Sequence, residues 1–157
     1  LQPLDLIKSA KVLLESSSGK PSQVNLRRSI SSIYYALFHC LARNSADLLI
    51  GGTGSDRSKP AWQQTYRALE HGVALNACKV DSVIRQFPKP IEDFANHFIT
   101  MQDKRHKADY DPFVKFTKSE TVADLMIAET VLDDFYRVAI KDRRAFCAHV
   151  IFRKRKI

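Results

Sequence analysis

Residues 26–42 read LRRSISSIYYALFHCLA, and their spacing sets the fold class. At 100° per residue, Ile30, Ile33, Tyr34, Leu37 and Leu41 fall in one wide sector, with Leu48 following further on. Such a stripe is the buried face of an amphipathic helix, predicted here over about residues 22–49. Arg28, Ser32, Tyr35 and His39 share the opposite sector, at spacings of four, three and four. One face is core. The other is either a plain solvated face or a surface able to bind a partner or an anion.

The same periodicity extends outward in both directions. Upstream, Leu6, Ile7, Ala10, Leu13 and Leu14 give the stripe of a half-buried helix. That helix should stop at Ser16-Ser17-Ser18-Gly19, where Gly19 can close a helix end, and Pro21-Ser22 suits a new start. Downstream, Pro60 opens a third predicted helix carrying Trp62, Tyr66, Leu69 and Val73, with Gly72 weakening its end. A short helix is expected over 80–87. Pro90 then opens a fourth long helix, whose stripe is Ile91, Phe94, Phe98, Met101 and, in the next place, Arg105. The Asp111-Pro112 step ends it. Thr117 and Glu120 form a capping-box pattern for a last helix that buries Leu125, Ala128, Leu132, Phe135 and Ala139. No run alternates like a strand. The expectation is one all-α domain spanning 1–157, an antiparallel up-and-down bundle of four to five main helices.

At 157 residues the chain is long enough to bury a core without disulfide or metal staples. Five Gly and six Pro exclude collagen-like and low-complexity chains, and no apolar run approaches the roughly 20 residues that span a bilayer. The net charge is +8, and it is unevenly placed. Residues 141–157 hold seven basic residues and one acid, which leaves only +2 for the first 140. A nearly balanced domain therefore ends in a cationic tail, centred on 153–157, that either attracts phosphates or merely aids solubility.

Several chemistries are disfavoured. Cys40, Cys78 and Cys147 are odd in number and far apart, so neither a zinc ribbon nor a disulfide framework is indicated. Isolated cysteines without a signal peptide lead to the expectation of a cytoplasmic protein, although the start at Leu1 leaves room for missing N-terminal residues. His71, His97 and His106 lack metal-ligand spacing, so no metal and no cofactor are expected. There is no GxSxG elbow. Gly51-Gly52-Thr53-Gly54-Ser55 lacks the Gly-Lys-Ser/Thr ending of a phosphate loop and reads as a connector. Arg144 and His149 (RAFCAH) form too short a string to carry weight.

The densest chemistry is Lys104-Arg105-His106-Lys107-Ala108-Asp109-Tyr110-Asp111-Pro112. Arginine can clamp a phosphate with two prongs. Histidine, with a reference pKa of about 6.5, moves protons near neutrality. Tyrosine can donate a hydrogen bond or stack on a base. These parts suit metal-free RNA cleavage, in which the ribose 2′-hydroxyl attacks its own phosphate. Spacing alone favours a structural lock instead, with Arg105 paired to Asp109 or Asp111 and Tyr110 covering the pair.

Two segments taken together carry a resemblance: LRRSISSIYYALFHCLA, residues 26–42, and FITMQDKRHKADYDPF, residues 98–113. They resemble the HEPN domain (higher eukaryotes and prokaryotes nucleotide-binding), in the bacterial uncharacterised branch with a YYAxFH helix and an RxxADYDP segment. The resemblance implies an up-and-down helical bundle that forms homodimers. It also implies an association with RNA or nucleotides, in metal-independent ribonucleases, toxin–antitoxin pairs or partners of nucleotidyltransferases. Arg105 matches the family arginine. The family histidine, after four to six intervening residues, falls at Tyr110, Asp111 or Pro112, none of which is histidine, whereas His106 is adjacent to the arginine. The resulting expectation is RNA or nucleotide binding. Arg105 is the phosphate clamp, His106 a proton carrier and Tyr110 a hydrogen-bond donor. Arg28, Tyr35, His39 and Asp109 line the same groove if the second and fourth long helices pack side by side. The alternatives are a non-catalytic protein-interaction module and a weak metal-independent endoribonuclease.

Overall fold

The computed structural model describes residues 1–16 and 19–156; Ser17 and Ser18, within the predicted helix stop, and Ile157, at the tip of the tail, lie outside the described residues. The described residues form eight helices and no strand: α1 (Pro3–Glu15), α2 (Gln23–Leu49), α3 (Lys59–Ala68), α4 (His71–Cys78), α5 (Asp81–Ile84), α6 (Lys89–Tyr110), α7 (Lys118–Arg137) and α8 (Ile140–Ile151). The fold class is all-α, as the periodicity requires. No helix among the described residues is long and apolar enough to cross a membrane.

Side-chain caps set several of the boundaries. The Ser22 hydroxyl accepts from the Asn25 N–H at 3.1 Å and starts α2. Thr117 accepts from the Glu120 N–H at 3.2 Å and starts α7. Each satisfies an N–H that the helix itself leaves unpaired. Pro90 sits in the first turn of α6, where it needs no backbone donor. Pro112 disfavours helical backbone at Asp111, which is extended at φ −102° and ψ 105°, so α6 ends at Tyr110.

α2 is the centre of the molecule and touches α1, α3, α6, α7 and α8. Its predicted stripe, Ile30, Ile33, Tyr34, Leu37 and Leu41, is fully buried, and so are Ile91, Phe94, Phe98 and Met101 of α6. Leu48 is only half-buried. Buried apolar side chains form one cluster from Ile7 of α1 to Val150 of α8. Each such large side chain contributes about 2–3 kcal/mol relative to exposure.

Two helix boundaries depart from the sequence expectation. The helix predicted from Pro60 through Val73 is broken at Leu69 and Glu70, both extended, and restarts as α4 at His71. The break lets Leu69 bury at 5% exposure. Gly72, expected to weaken a helix end, instead lies in the first turn of α4. The final helix also divides, at Val138 and Ala139, with ψ of 144° and 140°. Val138 takes the buried position that Ala139 was expected to fill, and Ala139 is exposed.

Beyond that break, much of the predicted cationic terminus is folded. Phe146, Cys147 and Val150 bury one face of α8. Arg143 donates to the Val138 carbonyl at 3.0 Å and to Asn44 Oδ1 at 3.2 Å, and Arg144 donates to the Leu48 carbonyl at 3.1 Å. Of the cationic tail expected at about 153–157, Arg153 pairs with Glu70 at 2.6 Å, and Lys154, Arg155 and Lys156 are exposed.

The glycine-rich connector is fastened at both ends. Gly51 has φ +146°, and a Cβ there would collide with the Ser55 hydroxyl. Arg57 donates to the Gly51 carbonyl at 3.1 Å and to Asp47 at 3.2 Å, and Trp62 Nε1 donates to the same carboxylate at 2.9 Å. These bonds use its polar groups to hold the turn into α3.

Candidate functional site

Arg105 follows Ile91, Phe94, Phe98 and Met101 along the buried stripe of α6, and its side chain is 11% exposed. Its guanidinium carbon stands 5.0 Å from the centre of the Tyr34 ring and 6.0 Å from that of Tyr35. Those two rings on α2 support the cation by their negative faces. Nη1 reaches Asp109 Oδ2 at 3.5 Å, the outer limit of a hydrogen bond. Nε is buried and has no partner among the described residues. Asp109 is engaged more closely elsewhere, accepting from the Ser31 hydroxyl at 2.7 Å. Asp111, the other predicted partner, accepts from the Phe113 N–H at 2.9 Å. The guanidinium is therefore held mainly by rings and only weakly by a carboxylate.

Tyr34 also carries an imidazole. Its hydroxyl lies 2.6 Å from Nδ1 of His71, at the start of α4, and Phe38 stacks on that imidazole with centres 4.1 Å apart. Burial raises the Tyr34 phenol well above its ordinary range, against the opposing pull of Arg105. Burial first, then the charge of Arg105, holds His71 below its ordinary 6.5. Both groups are thus neutral at neutral pH. They form a phenol–imidazole pair beside a fixed cation, with one proton shared between them.

A second phenol–imidazole pair lies one turn along α2. His39 Nδ1 and the Tyr66 hydroxyl are 2.6 Å apart. Burial lowers His39 and raises Tyr66. Tyr35 joins the two pairs, packed edge-on to Tyr34 at 5.3 Å and tilted against His39 at 6.1 Å. The Arg28–His39 face of α2 is thereby divided. Tyr35 and His39 belong to this aromatic cluster. Arg28 is exposed and lines a different depression, of about 780 Å³, with Ser9, Ser32, Asp109 and Tyr110.

His106 is exposed, and its ring rests against Tyr110 at 5.0 Å. Tyr110 is itself 69% exposed. Arg105 and His106 both line a cavity of about 560 Å³ with Lys79 and Gln102. Gln102 is buried there with Oε1 unpartnered. The structure brings Arg105, Tyr35 and Asp109 together. It links Arg28 and Tyr110 to them through Asp109, and His39 through the rings.

Sequence reasoning missed His71 and Arg27. His71 is 37 residues from Tyr34, so no local spacing reveals the pair. The available signal was Tyr34 itself, since a buried phenol needs a hydrogen-bond partner. Arg27 donates to the carbonyls of Ala108 at 2.9 Å, Asp111 at 2.8 Å and Val114, and stands 5.6 Å over the Phe116 ring. It fixes the segment that follows α6.

Other candidate chemistry is spent on structure. Arg144 and His149 do not form a site, because His149 bonds the Ala77 carbonyl at 2.8 Å while Arg144 bonds α2. Cys40, Cys78 and Cys147 are buried, and burial pushes their thiols up to about 12, about 12 and about 11, leaving them protonated. Among the described residues no group of three or more His, Cys, Asp or Glu is placed to hold a metal ion. No protein-family model, curated protein or solved structure matches this chain significantly.

Proposed function

We propose that the protein is a HEPN-like helical domain that binds RNA or a nucleotide through Arg105. The supporting observation is the state of that guanidinium. It is 11% exposed, yet its one carboxylate partner is 3.5 Å away and its Nε has none. A buried arginine normally satisfies its donors within the fold, because an unmet charged donor costs several kcal/mol or more. An incoming phosphate would be met by the Nη end of the guanidinium, since Nε itself is buried. Lys79 and Lys104 line the same cavity, beside one acid, Asp103, and add positive charge to the approach.

The family reading brings an up-and-down bundle, a cytoplasmic homodimer, and a place beside an antitoxin or a nucleotidyltransferase. Met126 and Ile127 of α7, 61% and 47% exposed, offer an apolar surface for a second copy. The same surface supports the second reading, a non-catalytic interaction module.

Labelled RNA incubated with the protein in a chelator separates the readings, with Arg105→Ala and His106→Ala beside the wild type. Binding without cleavage, lost in Arg105→Ala, is the expected result. Cleavage lost in both variants would make the protein a metal-independent endoribonuclease. Cleavage that survives both would remove the site, and absence of both activities would leave the interaction module.

A further inference from the structure

Tyr110 and Phe113 are 69% and 90% exposed, three residues apart where the chain leaves α6. A single exposed ring is ordinary. These two, however, are displayed on a segment that the fold holds fast. Arg27 bonds carbonyls on both sides of Tyr110, and the Asp111 side chain accepts from the Phe113 N–H. Tyr110 also lines the open depression of about 780 Å³ between α1, α2 and the end of α6. Arg28 lies in that depression, exposed and, among the described residues, without an ion pair or hydrogen bond. Asp109 is the carboxylate of the groove, and both its oxygens are engaged, by Ser31 and by Arg105. The groove thus pairs a free cation with a displayed aromatic face, and its one acid is already occupied.

We propose that this groove binds single-stranded RNA, with one unpaired base stacked on Tyr110 and the adjoining phosphate on Arg28, while Phe113, three residues on and outside the groove lining, takes the next base as the strand leaves. This rests on the RNA-binding reading above and specifies its substrate class. Exposed rings can stack only on bases whose faces are open, which those inside a duplex are not. The role given to Tyr110 is carried by its ring and not by its hydroxyl.

The test uses the full chain and a fluorescent oligouridine of about ten nucleotides, alone and annealed to its complement, read by anisotropy. The single strand should bind at least about tenfold more tightly than the duplex. Tyr110→Ala and Phe113→Ala should each lose about tenfold, and Tyr110→Phe should bind like wild type. Arg28→Ala should weaken binding and lower the salt slope by about one. All three side chains are exposed, so the variants should keep wild-type helicity by circular dichroism. Tyr110→Ala and Phe113→Ala binding like wild type while Arg105→Ala loses affinity would overturn this inference and leave the Arg105 reading standing. Tyr110→Phe losing as much as Tyr110→Ala would overturn the stacking role. Preference for duplex would overturn the substrate class, and no binding by wild type would overturn both readings.

Discussion

Nη1 of Arg27 lies 2.8 Å from the carbonyl oxygen of Asp111, across 84 residues of sequence. The same guanidinium takes the Ala108 and Val114 carbonyls and covers Phe116, while the adjacent Arg28 lines the neighbouring groove with no partner among the described residues. Neighbours on a helix point about 100° apart, so one arginine is structural and the next is available. Arg27→Ala should cost about 2–3 kcal/mol, because it leaves several carbonyls without their charged donor. Arg28→Ala should change stability by no more than about 0.5 kcal/mol. Urea unfolding of the two variants checks the contrast, and equal losses would refute it.

His39, His71 and His97 should make the fold acid-sensitive. Burial holds each below the ordinary imidazole value of 6.5. His97 bonds the Asp124 carbonyl at 3.0 Å, beside the Lys104–Asp124 pair at 2.7 Å. The unfolded chain takes up protons at these sites as pH falls through about 6.5, and the folded chain takes them up only at lower pH. Their contribution is therefore complete above about pH 6.5 and declines below it. Denaturant midpoints should fall between about pH 7 and pH 5, and the fall should be smaller in His97→Gln. A flat profile over that window would contradict the assignment.

α8 should behave as core and not as tail. Phe146 is fully buried against Phe94 and Phe135, with ring centres 6.2 and 6.1 Å away. Phe146→Ala should cost about 3–5 kcal/mol, measured by thermal or urea unfolding. A loss under about 1 kcal/mol would mean that α8 is not docked on the core.

Deleting residues 153–157 should leave stability nearly unchanged, because Lys154, Arg155 and Lys156 are exposed and the Arg153–Glu70 pair is a surface one. It should weaken nucleic-acid binding uniformly across sequences and flatten its salt dependence. Unchanged affinity and slope would make the tail a solvated end.

These outcomes trace what was legible in the chain. Ser22, Pro90, Pro112 and Thr117 are strong local punctuation, and the boundaries they predict for α2, α6 and α7 are found. Leu69-Glu70 and Val138-Ala139 contain neither Gly nor Pro, and both breaks serve burial of an apolar side chain, Leu69 or Val138. Tertiary packing decides such breaks, so nothing local in the sequence marks α4 and α8 as separate helices. For the site, Arg105 stood out as a cation on an apolar stripe. Its ring supports and the Tyr34–His71 bond could not be read, because they join α2, α4 and α6 through packing.

The availability of Arg105 to an outside anion is best tested on its own Nε–H. That resonance can be assigned by its absence in Arg105→Lys and followed while single-stranded oligouridine is added. Buried and, among the described residues, without a partner, it should shift saturably as the RNA loads the same guanidinium. A resonance that stays fixed while the RNA binds elsewhere on the protein would contradict the account.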